Sequence, residues 1–421
     1  GAIETNGGDN DILTITSGEG DITFSGAIGA TEELGGLNVN ASAGDGDITF
    51  SSTIGDTNGT RAGVIGTSNI GNTNTNNIAF SSTLYSFDGT TTFESASGEK
   101  FNLASAATIE TAGDTLSFTG GTINLANGAN LTMTSTGGAI TVNGVVGNSS
   151  ETVSISAGST EGTTDTVNIT GDIGNADEIL SVAITAADGI TLTGTTIDTA
   201  DAANSDITLT GPVTISGTVV VTANDTTNDG DVSFTSTIDG AGGTDNLSIQ
   251  SGAGALTLTG AIGTTASLDT LNINTEAGTA NITIANIGDT GNAGAVATTI
   301  GNSTTANLTF GGTYFRTSGN LTATTAAGEG KIDFTGANPV VTTAGNAVEF
   351  VGGDILLANG SNLTINTNIS NGVDNGGNIT IAGAIAGTSN ENLTLTTGTK
   401  GTGTVSVHAI GAGDEISTIS I

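Results

Sequence analysis

Apolar and polar residues alternate in short runs along the whole chain. Asp21-Ile22-Thr23-Phe24, Asp47-Ile48-Thr49-Phe50, Ala139-Ile140-Thr141-Val142, Thr152-Val153-Ser154-Ile155, Asn281-Ile282-Thr283-Ile284 and Asn392-Leu393-Thr394-Leu395 each pair an aliphatic or Phe face with a face of Thr, Ser or Asn. A period of two is the strand period, because successive side chains leave opposite faces of a sheet. No window repeats apolar residues at i, i+3, i+4 and i+7 between helix caps, so essentially no helix is expected. Gly next to Asn, Asp or Ser separates the runs, and these residues tolerate a positive φ in tight corners.

The pattern also repeats on a longer scale. Gly120-Gly121-Thr122-Ile123-Asn124-Leu125-Ala126-Asn127-Gly128-Ala129-Asn130-Leu131-Thr132-Met133 returns as Gly352-Gly353-Asp354-Ile355-Leu356-Leu357-Ala358-Asn359-Gly360-Ser361-Asn362-Leu363-Thr364-Ile365. Ser25-Gly26-Ala27-Ile28-Gly29 returns as Thr259-Gly260-Ala261-Ile262-Gly263, Phe118 as Phe350, Glu151 as Glu391, and Gly98-Glu99-Lys100 as Gly328-Glu329-Gly330-Lys331. A period of about 235 residues makes 1–235 a first copy and 236–421 a second, incomplete one, with insertions expected in loops. Within the best-matched phrase, Ile123, Leu125, Leu131 and Met133 read as inward positions and Asn127-Gly128 as the corner between coils.

Short strands joined by small corners fit a right-handed parallel β-helix, that is, a β-solenoid, or tandem β-sandwich repeats. Only two Pro and 3% aromatic residues favour the solenoid, since sandwiches carry aromatic core anchors and edge prolines. At about 25 residues and about 4.8 Å per coil, a continuous rod would run roughly 80 Å; the alternative is two rods parted near residues 224–252. Neither the start near Ile3 nor the stretch Ser417–Ile421 reads as a polar cap. This is expected of a window cut from a longer array, or of open ends that stack on neighbouring copies.

Charge removes several classes of function. The 421 residues carry a formal net charge of −36, and Lys100, Lys331, Lys400, Arg61 and Arg316 are the whole basic complement. Phosphate binding needs Lys or Arg to replace released counterions, so nucleic acid and anionic membrane surfaces are very poor partners, and divalent cations or neutral glycans fit better. The absence of Cys rules out a disulfide framework and thiolate metal sites. No run approaches ~20 apolar residues, so no bilayer span is expected. Gly1-Ala2-Ile3-Glu4-Thr5-Asn6 carries neither the basic nor the apolar part of a signal peptide.

Asn130-Leu131-Thr132-Met133-Thr134-Ser135-Thr136-Gly137-Gly138-Ala139-Ile140-Thr141-Val142-Asn143-Gly144, with its strand, Gly corner and strand, resembles the repeats of large bacterial surface proteins of the filamentous haemagglutinin type. Asn392-Leu393-Thr394-Leu395-Thr396-Thr397-Gly398 shows the same rhythm. The resemblance implies a secreted, right-handed parallel β-helix displayed at the cell surface as an adhesin or matrix fibre. It implies no catalytic residues. The expected partners are further copies of the same protein, end to end or side by side, and glycans or host and cell-surface components.

Residues that could carry chemistry are few. Asp9 and Asp11, Asp45 and Asp47, and Asp229 and Asp231 are acids spaced by one residue in Gly- or Asn-rich turns before strands, with Glu19 and Asp21 similar. Hard oxygen ligands at such spacing suit Ca²⁺, while the alternative is that Asp and Asn bind turn backbone groups. Alignment of Asp45 and Asp47 with Thr279 and Asn281 in the second copy favours the turn role. Lyase chemistry on uronates needs basic groups that this protein barely has, whereas glycoside hydrolysis needs only two carboxylates ~5 to 9.5 Å apart. No cofactor other than Ca²⁺ and no enzyme activity is expected. His408, the lone histidine, reads as an outer strand residue, and Glu99-Lys100 with Glu329 and Lys331 as edge charges that block stray strand pairing. The Asn-x-Thr sequons at Asn130, Asn168, Asn281, Asn307, Asn320, Asn362, Asn378 and Asn392 follow automatically from Thr-alternating strands preceded by Asn corners.

Overall fold

The computed structural model describes residues 1–7, 11–56, 62–158, 165–202, 204–223, 230–276, 278–368, 376–388, 390–398, 403–411 and 414–421. It is an all-β protein without helix among these residues, its parallel strands stacked as a β-solenoid of about 15 turns. Every pairing between strands recorded among the described residues is parallel, as for Ile12–Ile15 with Gly36–Val39 or Asn281–Ile287 with Asn307–Phe310. One isolated antiparallel bridge joins Ala344 and Asn368. Tandem sandwiches would need antiparallel sheets, so the solenoid is the fold.

Two compact units are formed, one of Gly1–Ala200 with Leu209–Gly211 and the other of Asp201–Thr208 with Pro212–Ile421. In the first unit, a turn contributes three short strands, and equivalent inward residues stack in columns. One column runs Ile15, Val39, Ile70, Phe93, Phe118, Val142, Ile169 and Leu192. A second runs Phe24, Phe50, Phe80, Leu103 and Leu125, on the six-stranded sheet that includes Ile22–Phe24, Ile48–Phe50 and Lys100–Leu103. The third face stacks Ile109, Met133, Ile155 and Ile184. The second unit repeats the scheme, with Ile282, Leu308, Ile332 and Ile355 in one column and Phe310 directly beneath Phe334 in another.

The expected inward positions Ile123, Leu125, Leu131 and Met133 are at most 2% exposed, and the alternation of buried and half-exposed residues follows the sequence period strand by strand. Turn length is not constant. Asn102 and Asn124, in register on successive turns, are 22 residues apart, whereas Asn38 and Asn69 are 31 apart. Insertions therefore enter between strands and leave the columns intact.

Aromatic residues matter more to the core than their number suggests. All 12 Phe are buried, and all but Phe234 pack ring against ring in clusters. Phe80 packs edge-on against Tyr85 with centroids 4.9 Å apart and lies 6.2 Å from Phe118; at the matching place in the second copy, Phe310 meets Phe315 at 4.6 Å and Phe350 at 6.2 Å. Stacked pairs such as Phe93–Phe118 at 4.7 Å and Phe310–Phe334 at 4.8 Å match the strand spacing, so parallel register itself brings the rings into contact. Burial of the Tyr85 phenol pushes its pKa up to about 12, against the opposing effect of Ser82 N–H, which donates to the phenolic oxygen at 2.7 Å.

Candidate functional site

Outward polar residues at the start of strands sit one strand spacing from the turn above, within reach of its backbone. Short Asp and Asn side chains use that proximity. Asp21 Oδ1 accepts from Asp47 N at 3.0 Å, Asp47 Oδ1 from Asn77 N at 3.0 Å, and Asn77 Oδ1 from Lys100 N at 3.2 Å. In the second unit, Asp206 Oδ1 accepts from Asp231 N at 2.9 Å and Asp231 Oδ1 from Ala255 N at 2.7 Å. Asn130 and Asn378, both in sequons, accept in the same way from Thr152 N at 2.9 Å and Thr404 N at 3.0 Å. These ladders tie each turn to the next.

Of the candidate Ca²⁺ ligands, Asp47 and Asp231 thus each have one oxygen engaged by backbone. Asp11 is exposed, and Asp9 and Asp229 lie outside the described residues. Asp45 is also exposed, and with Glu19, Asn74 and Asn76 it lines an open depression of about 530 Å³, so two of the acids marked in the sequence do come together. Among the described residues, no group of three or more His, Asp or Glu converges as a metal-ligand set. A second depression in the first unit, about 430 Å³, carries Glu33, Asp88 and Glu110 beside Phe87 and Ile65. His408 is exposed on the strand Val405–Ile410. Lys100 and Lys331 are exposed at the first residues of their strands, and Lys331 partly offsets the burial that raises the Asp333 carboxyl above its ordinary value.

The most constrained polar groups are two glutamates. Glu151 and Glu391 are both fully buried. Glu151 Oε1 accepts from Gly128 N, on the preceding turn, at 2.7 Å; its Oε2 accepts from Asn148 N and Ser150 N, and the Ser150 hydroxyl donates at 2.7 Å. Glu391 repeats the arrangement: Oε1 accepts from Gly360 N at 3.0 Å, Oε2 from Thr388 N at 2.7 Å and Asn390 N at 3.1 Å, and the Thr388 hydroxyl donates at 2.8 Å. Burial works to raise the Glu151 pKa, but the Ser150 hydroxyl and the amides of Gly128, Asn148 and Ser150 outweigh it and hold the carboxyl below its usual range. Gly147 and Gly387 make the space. A Cβ at either would lie 2.8 or 2.5 Å from the carboxylate oxygen.

A second buried device sits at another corner. Asn40 and Asn274 adopt the same left-handed conformation, each with φ of 48°, and are at most 1% exposed. Their side-chain oxygens accept from Ser17 N at 2.9 Å and Ser251 N at 3.0 Å. Asn72 and Asn302 then donate to the carbonyls of Asn40 and Asn274 at 2.6 and 2.8 Å. Asn tolerates αL better than other residues that bear a side chain, and here its amide also serves the neighbouring turn.

None of these buried residues was marked as a site from the sequence. The recurrence of Glu151 at Glu391 is visible there, but its partner amide is a backbone group 23 residues earlier, with no signature in any side chain. No known protein family, curated protein or solved structure matches the sequence.

Proposed function

We propose that this protein is a non-enzymatic structural module of the extracellular surface: part of a fibre, matrix filament or adhesin stalk, in the manner of filamentous haemagglutinin-type proteins. The observation that carries this reading is how the polar residues are used. Asp, Asn and Glu side chains are spent on joining turn to turn through backbone amides, while aliphatic and Phe columns fill the interior. A scaffold of this kind works by resisting extension and proteolysis, and its outward Thr and Asn rows offer neutral hydrogen-bonding surfaces to glycans or to further copies of itself.

The test is electron microscopy of the purified protein, alone and at the producing cell's surface. Filaments or surface-attached fibres are expected; a strictly monomeric particle that turns over a polysaccharide would overturn the proposal. A second reading, a carbohydrate-binding or carbohydrate-cleaving β-helix, draws on the depression bearing Glu33, Asp88 and Glu110. Loss of polysaccharide binding or cleavage in Glu110→Gln would favour it. A Ca²⁺-dependent surface layer is the third reading, with Glu19 and Asp45 as its starting point; assemblies that persist in chelator would eliminate it.

A further inference from the structure

Asn127-Gly128 and Asn359-Gly360 occupy the same corner in the two copies. All four residues are exposed, and the glycine φ angles are 77° and 79°. Asn followed by Gly is chemically fragile because the glycine nitrogen is unhindered by a Cβ. That nitrogen attacks the Asn Cγ, the new N–C bond forms as the bond between Cγ and Nδ2 breaks, and ammonia leaves with the proton shed by the glycine nitrogen. Water then opens the cyclic imide to Asp or isoAsp. The attack requires the glycine nitrogen to lose its proton and turn toward Cγ.

In this fold that nitrogen is already committed. Gly128 N–H is donated to Glu151 Oε1 at 2.7 Å and Gly360 N–H to Glu391 Oε1 at 3.0 Å, and both glutamates are inaccessible to solvent. Imide closure at either corner would break this bond and leave a buried carboxylate short of a donor. Removing the proton would also place negative charge on nitrogen beside an existing negative charge, which a neighbouring carboxylate opposes. We infer that Asn127 and Asn359 are latent imide-forming modification sites, and that Glu151 and Glu391 keep them closed. The duplication supports this. The fragile dipeptide, the buried acid, and the glycine that admits it (Gly147 or Gly387) occur together in both copies.

The experiment compares the unsubstituted protein with Glu151→Gln and Glu391→Gln, held at neutral pH and physiological temperature. Peptide mapping by mass spectrometry scores conversion of each Asn to Asp or isoAsp. Replacing the carboxylate with an amide removes its charge and one of its two acceptor oxygens, and the weakened hold on the glycine N–H is expected to speed closure by roughly tenfold. Glu151→Gln should accelerate Asn127 and leave Asn359 at the parental rate, and Glu391→Gln should do the reverse. Asn143-Gly144, fastened through the Asn143 amide to Gly120 O at 2.9 Å, reports general loosening of the first unit. An unchanged or slower rate at the Asn whose acid was replaced overturns the inference, the slower rate by showing the carboxylate to act as a base. Acceleration of Asn143 in step with Asn127 overturns it too, by assigning the effect to unfolding. Should Glu151→Gln not fold, Glu391→Gln decides the matter, with the intact Glu151 corner as its internal reference.

Discussion

Replacing Glu151 with Ala should be among the most damaging single changes in the first unit. The carboxylate is fully buried and satisfies the amides of Gly128, Asn148 and Ser150 together with the Ser150 hydroxyl. Each buried donor left without an acceptor costs about 1–3 kcal/mol, and with several donors losing one charged acceptor together the total is expected to reach about 3–5 kcal/mol. Glu151→Gln keeps the shape and one acceptor oxygen, so a loss of about 1–3 kcal/mol is expected. Hydrogen exchange of the Gly128 amide, set beside urea unfolding, reads both local and global effects. The pH dependence has a definite sign. The native state holds this carboxyl below its ordinary pKa, so its stabilisation is fully present above the unfolded value and disappears as pH falls through the native one. The gap between the parent and Glu151→Gln should therefore close on acidification below the ordinary carboxylate range. A cost below ~1 kcal/mol for Glu151→Ala at neutral pH, or a gap that widens in acid, would refute the reasoning.

Phe334→Ala should cost about 3–5 kcal/mol by urea denaturation, because the ring is fully buried and stacked on Phe310, while Phe334→Leu should recover most of that loss. Asn274→Ala should lower stability by about 1–3 kcal/mol, combining αL strain with loss of the bond from Ser251 N; Asn274→Gly should relieve the strain alone, as thermal melts will show. Tyr85 should ionise near 12 in an ultraviolet titration, a step absent from Tyr85→Phe. Because the folded state favours the neutral phenol, its contribution is present below the ordinary tyrosine value of 10.0 and is lost as pH rises toward about 12.

The fold was readable because alternation is a local property. Ile123, Leu125, Leu131 and Met133 declare their direction from their neighbours alone, and Gly128 and Gly360 take the positive φ expected of a corner. What escaped depends on which turn lies over which. Phe80, Tyr85 and Phe118 are scattered in sequence and become one cluster only once parallel register is known. The acids that stood out, Asp47 and Asp231, did so by their spacing from another Asp, yet each engages the backbone of the next turn. Glu151 stood out only as a repeat match, since nothing in the strand that follows it, Thr152–Ala157, points to a buried carboxylate.

The inter-turn hydrogen bonds run in two senses. Asp47 and Asp231 offer an acceptor to an amide that comes later in the sequence, whereas Gly128 and Gly360 wait for a carboxylate from the turn that follows. A turn of the first kind templates its successor; a turn of the second kind is unfinished until its successor arrives. Such an array couples nearest neighbours strongly and distant turns hardly at all, like links that lock only on receiving the next. For a polypeptide that emerges from one end, order would then propagate as a travelling boundary, one turn behind the newest segment.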